Sequence, residues 1–164
     1  MDQAQGAIDA ARAAGADRYA AEQYEAAVKA LQSARDAVAQ RDYRLALNHA
    51  LDSRDRAQRA AKEAASQQAV LRSAAERRLV QVTASLDQAR QHLKDAENGR
   101  IPRRSIASAR AAISAAEASL QKAGTSIEEG NYTVSQKQLA ESAAKLQAAT
   151  AEIETAMKAR GKRR

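Results

Sequence analysis

The chain has no cysteine, no phenylalanine and no tryptophan, and a single proline in 164 residues. Without cysteine there is no disulfide, no thiolate metal ligand and no cysteine nucleophile. The only aromatic residues are four tyrosines, which excludes a thick aromatic core and a platform for stacking nucleobases. The six glycines are scattered at turns and ends and make no phosphate-cradling loop. The two histidines, His49 and His92, lie on different predicted helices. A metal site from them would need carboxylates such as Asp52 or Asp95 beside them, and surface histidines are the expectation. With no Ser-His-Asp arrangement either, an enzyme is not expected, and neither cofactor nor metal is assigned. No apolar run approaches the ~18 residues that cross a bilayer, and the opening Met-Asp-Gln shows no signal-peptide pattern.

What fills the chain instead is alanine, at 44 residues, against 29 of Leu, Ile, Val, Met and Tyr together. Alanine is the strongest helix former, with Gln, Glu, Lys and Arg close behind. With 29% charged residues, this composition predicts long helices in an all-α fold, an elongated antiparallel helical bundle or coiled coil. Small side chains along the seams let helices approach closely.

Punctuation and periodicity place the helices. A first helix is expected over Asp2–Ala14, stopping at Gly15, and a second from Asp17 to about Gln40. The second carries the seam Tyr24, Ala27, Leu31, Ala34, Val38, with coiled-coil spacing. Asp42 can cap a third helix that opens with Tyr43 and Leu47. Nothing halts that helix before Asn98-Gly99-Arg100-Ile101-Pro102, although 64–68 lacks large apolar residues and is the expected bend. Leu79, Val82, Leu86, Ala89 and Leu93 continue a seam; Ile106, Ala109, Ile113, Ala116, Leu120, Ala123 and Ile127 make the next. Tyr132, Leu139, Leu146 and Ile153 fall at seven-residue spacing on the last.

A shift of 89 positions aligns "ALQSARDAVAQRDY" at Ala30–Tyr43 with "SLQKAGTSIEEGNY" at Ser119–Tyr132. The chain therefore reads as two tandem three-helix units, 1–65 and 66–164, sharing a long central helix. The tyrosine after each turn is expected to pack its ring across the hairpin end. Asn131-Tyr132-Thr133 matches a glycosylation sequon but sits at a helix start, where coincidence suffices.

The segment from Ala13 to Ala65 carries Gly15-Ala16, Tyr19-Ala20, Tyr24, the Leu31/Ala34 seam, Asp42-Tyr43, Ala46 and Ala50. In these features it resembles the alanine-rich helical domain of unknown function found in bacterial cell-envelope lipoproteins, sometimes ahead of an OmpA-like domain. "RDYRLALNHA" is also similar to the start of a tetratricopeptide-type helix, with Arg41 where that family usually has glycine. The resemblance implies no catalytic residues. It implies a periplasmic protein, outer-membrane-anchored through a lipid-bearing cysteine of a precursor, a cysteine this chain lacks. A cytoplasmic location is the alternative.

The net charge is +7, which favours acidic partners. Within the helices much of the basic charge has acidic neighbours, as Arg54 has Asp52 and Asp55. Arg100, Arg103 and Arg104 around Pro102, and Arg160, Lys162, Arg163 and Arg164 at the end, lack that compensation. They form the candidate partner-binding surface. The expected role is a non-enzymatic scaffold or spacer binding a protein or a polyanionic cell-wall polymer. The alternative is a basic nucleic-acid-associated helical protein, which would work through phosphate contacts alone. Self-association is compatible with either.

Overall fold

The computed structural model describes residues 1–161. The described residues are 91% helical with no strand among them, and the chain divides into two compact units, Met1–Val70 and Leu71–Arg164. Its helices are α1 (Asp2–Ala13), α2 (Ala16–Tyr19), α3 (Ala21–Ala39), α4 (Tyr43–Asn98), α5 (Ala107–Glu128) and α6 (Tyr132–Gly161), with one 3-10 turn at Arg103–Ser105. The first part of α4 belongs to the first unit and the remainder to the second. Residues 64–68, where a bend was expected, are helical throughout.

In the first unit, α1 has Asp2 in its first turn and Arg12 in its last, each charge at the end of the helix dipole that favours it. Gly15 then takes a left-handed conformation, φ 77°. The expected helix from Asp17 to Gln40 is interrupted at Ala20, whose backbone sits at φ −145°, ψ 43°. The interruption loses little. Ala20 still donates its N–H to the Ala16 carbonyl (2.9 Å) and accepts from the N–H of Tyr24 (3.0 Å), and its methyl is buried.

The core joins Ile8 and Ala11 of α1 to Tyr24, Ala27, Leu31 and Ala34 of α3 and Ala50, Ala57, Ala60 and Ala64 of α4. Tyr24 is buried with its hydroxyl satisfied: Arg12 Nε donates to Tyr24 Oη at 2.8 Å. Ser53, fully buried on α4, donates to the Ala27 carbonyl of α3 at 2.8 Å.

Two expectations fail here. Val38 is 41% exposed, and Ala37 is buried in its place. Tyr43 is 67% exposed, so its ring does not pack across the hairpin end, and Leu47 one turn later is 59% exposed. The buried line of α4 runs instead through Ala46, Ala50, Ser53, Ala57, Ala60 and Ala64. Small residues allow close helix approach, and the larger side chains one position away are left outside.

In the second unit, Val82, Leu86, Ala89 and Ala96 of α4 meet Ala109, Ile113, Ala116, Leu120 and Ala123 of α5 and Leu139, Leu146, Ala149 and Ile153 of α6. Leu79 and Leu93 pack against this cluster half-buried. Helices α5 and α6 pack against each other. Between the large residues of α6 lie Ser135 and Ser142, both buried. The α6 seam is therefore Ser135, Leu139, Ser142, Leu146, Ala149, Ile153, alternating small and large side chains at coiled-coil spacing.

Candidate functional site

The second unit brings its uncompensated arginines together where α4 turns into α5. Helix α4 ends in a Schellman pattern, in which the Arg100 N–H bonds the Glu97 carbonyl (2.9 Å) and the Ile101 N–H bonds the Ala96 carbonyl (3.0 Å). The left-handed residue this motif requires is Arg100, at φ 53°, rather than the adjacent Gly99. A side chain bearing Cβ costs about 1–2 kcal/mol in that conformation. Pro102 (φ −57°) then leads into the 3-10 turn at Arg103–Ser105, and Ile106 closes it at φ −128°. Pro102 thus opens a single 3-10 turn, and α5 proper begins only at Ala107. Ile101 and Ile106 are buried in the unit's core, so the short segment that carries the arginines is anchored at both ends.

Two open clefts flank Arg100. The larger, of about 710 Å³, is lined by Glu97, Arg100, Ile101, Arg103, Ile106 and Arg110. The smaller, of about 370 Å³, is lined by Arg100, Ile101, Pro102, Ser105, Ala156, Ala159 and Arg160. Arg100 and Ile101 form the partition between them. In the larger cleft three guanidiniums face one carboxylate, and that carboxylate is engaged: Arg110 Nη2 donates to Glu97 Oε1. In the smaller cleft Arg160 is half-buried, and its Nη1 is shielded from solvent with no hydrogen-bond partner among the described residues.

Of the arginines singled out from the sequence, the structure gathers Arg100, Arg103 and Arg160 around these clefts. Arg104 is exposed on the same 3-10 turn but lines neither. Lys162, Arg163 and Arg164 lie outside the described residues. Arg110 is the member that sequence reasoning missed. It sits in the first turn of α5, one turn beyond the loop, and its partner Glu97 is 13 residues away, outside the three- and four-residue spacings by which intrahelical pairs are recognised.

Chemically the arrangement offers donors suited to an anion. Guanidinium groups stay protonated at every physiological pH and present planar donor forks that match carboxylate and phosphate oxygens. The segment that carries Arg100 and Arg103 is anchored by buried Ile101 and Ile106, which keeps their positive charge at this end of the unit. Among the described residues no group of three or more His, Asp or Glu is placed to hold a metal ion, and no helix is long and apolar enough to cross a membrane. Comparison with protein-family models, with curated proteins and with solved structures finds no match for this chain.

Proposed function

We propose that the protein is a non-enzymatic helical scaffold or spacer that engages a polyanionic partner through the arginine-lined end of its second unit. The observation that carries this reading is the pair of clefts around Arg100, lined by Arg100, Arg103, Arg110 and Arg160 against the single carboxylate of Glu97. Guanidiniums recognise anions but do not exchange protons near neutral pH, which suits binding rather than catalysis. The resemblance of residues 13–65 to the alanine-rich domain found in envelope lipoproteins supports a periplasmic setting and an anionic cell-wall polymer as partner, with the first unit acting as the spacer.

The test is fluorescence anisotropy of labelled polyanions (heparin, polyglutamate and duplex DNA) against the chain at increasing salt. Binding should weaken steeply between about 50 and about 300 mM salt, because exposed charges are screened within a Debye length of about 8 Å at physiological ionic strength. The triple variant Arg100→Gln, Arg110→Gln, Arg160→Gln should bind weakly at any salt while keeping its helical circular dichroism. No polyanion binding at the lowest salt, or binding indifferent to the triple variant, would remove this reading. Duplex DNA binding far more tightly than the other two would replace the envelope partner with nucleic acid.

A further inference from the structure

Resting on that reading, we infer that the larger cleft is a phosphate site, that its ligand is a linear phosphate polymer, and that Glu97 is the internal competitor this ligand displaces. Arg110 already holds a carboxylate in the cleft, that of Glu97. The two side chains are 54% and 41% exposed, and pairs so open to water hold together only weakly. Glu97 therefore occupies an anion position without sealing it. Arg100 and Arg103 line the same cleft, and neither has a carboxylate partner among the described residues.

Phosphate fits these groups better than a second carboxylate. A carboxylate has two oxygens and is satisfied by one arginine fork, which is what Glu97 already provides. A phosphate offers more acceptor oxygens and can bridge several guanidiniums at once. Because Arg100 also lines the smaller cleft, to which Arg160 contributes a second guanidinium, a chain of phosphates can pass from one cleft to the other across Arg100. Neither cleft is lined by an aromatic side chain, so neither offers the aromatic platform on which single-strand binders stack successive bases. A phosphate chain without bases is the ligand these walls recognise.

The experiment titrates the chain by calorimetry with linear inorganic polyphosphate, with polyglutamate of matched charge and with duplex DNA. It then compares Arg103→Gln, Arg104→Gln, Glu97→Gln and Glu97→Asp. Arg103 and Arg104 are neighbours of equal charge, both exposed on one 3-10 turn, and only Arg103 lines a cleft. Polyphosphate should bind more tightly than either other polymer. Arg103→Gln should weaken it by about tenfold, the loss of one charge-assisted contact, and Arg104→Gln by less than about twofold. Glu97→Gln should tighten it roughly two- to fivefold, and Glu97→Asp, which keeps the competing charge, should not. All three positions are exposed, and a thermal melt by circular dichroism verifies folding; a variant that unfolds is replaced by Arg103→Lys or Glu97→Ala at the same position. Equal losses for Arg103→Gln and Arg104→Gln overturn the inference. So does an unchanged affinity for Glu97→Gln, or a polyglutamate or DNA affinity matching that of polyphosphate. Each of these results leaves polyanion binding itself standing, whereas failure of all three polymers to bind removes both readings.

Discussion

Arg41 and Gly130 occupy the same left-handed position, at φ 61° and φ 76°, one residue beyond the C-caps of α3 and α5. The turns are closed by the same pair of backbone bonds. Asp42 N–H reaches the Ala37 carbonyl and Arg41 N–H the Val38 carbonyl; Asn131 N–H reaches Ser126 and Gly130 N–H reaches Ile127. This shared geometry is the physical content of the 89-residue repeat. Capping differs between the copies: Asp42 Oδ1 accepts the Leu45 N–H at 2.9 Å, whereas the Asn131 amide donates to Glu129.

The two turns should respond oppositely to substitution. In the left-handed region a side chain costs about 1–2 kcal/mol, partly offset by the greater unfolded-state entropy of glycine. Arg41→Gly should raise stability by about 0.5 kcal/mol. Gly130→Ala should lower it by about 1 kcal/mol, through backbone alone, since nothing lies within 4 Å of the added Cβ. Urea midpoints for the two variants check the signs. A gain for Gly130→Ala would mean the turn is not held left-handed.

Gly15 is a harsher case of the same conformation. Its φ is +77°, and a Cβ there would lie 2.8 Å from Gln68 Nε2 and 3.2 Å from Tyr19 Cδ2. Gln68 can move, but its amide donates to the Ala14 carbonyl at 3.2 Å, so moving it breaks the bond between α4 and the end of α1. Gly15→Ala should therefore cost about 2 kcal/mol, clearly more than Gly130→Ala. In the Gln68→Ala background the closer of the two contacts is gone, and the cost should fall to backbone strain plus the 3.2 Å approach to Tyr19. A double-mutant cycle showing no coupling would refute the contact.

The buried serines divide by hydrogen bonding. Ser53 Oγ is bonded to Ala27 at 2.8 Å, and Ser53→Ala should cost about 1 kcal/mol. Ser135 Oγ is equally buried but has no partner among the described residues, so its hydroxyl is desolvated without return. Ser135→Ala should be neutral or stabilising by up to about 1 kcal/mol. Thermal melts that show both variants losing stability equally would mean Ser135 has a partner after all.

How much of this was legible in the sequence depended on where alanine fell. In the second unit the seam positions carry Leu and Ile among alanines, so periodicity named Leu86, Leu93, Ile113, Leu120, Leu139 and Leu146, all buried except Leu93, which is half-buried. In the first unit the buried line of α4 is itself alanine and serine, and alanine also covers the other faces. Periodicity then carries no signal, and Tyr43 and Leu47 drew the reading to the wrong face. The site was half legible. Charge without nearby acids pointed to Arg100, Arg103 and Arg160. What separates Arg103 from Arg104 is the 3-10 geometry, and what recruits Arg110 is a partner across the turn, neither of which is a feature of local spacing.

That contrast between the units makes the last prediction. Leu120 is 7% exposed within the α4–α5–α6 core, and Leu47 is 59% exposed on α4. Truncating Leu120 removes buried methyl groups and leaves a cavity lined by neighbours whose own alanine contacts cannot expand to fill it. Leu120→Ala should cost about 2–4 kcal/mol. Leu47→Ala removes side chain that is largely hydrated already and should stay within about 0.5 kcal/mol of the parent. Alanine's higher helix propensity is nearly matched by leucine's, so helix formation does not bias the comparison. Denaturant unfolding of the two single variants under identical conditions checks it. A Leu47→Ala loss comparable to that of Leu120→Ala would show that the outer face of α4 is covered in solution, and an unchanged midpoint for Leu120→Ala would show that the second unit does not close on this seam.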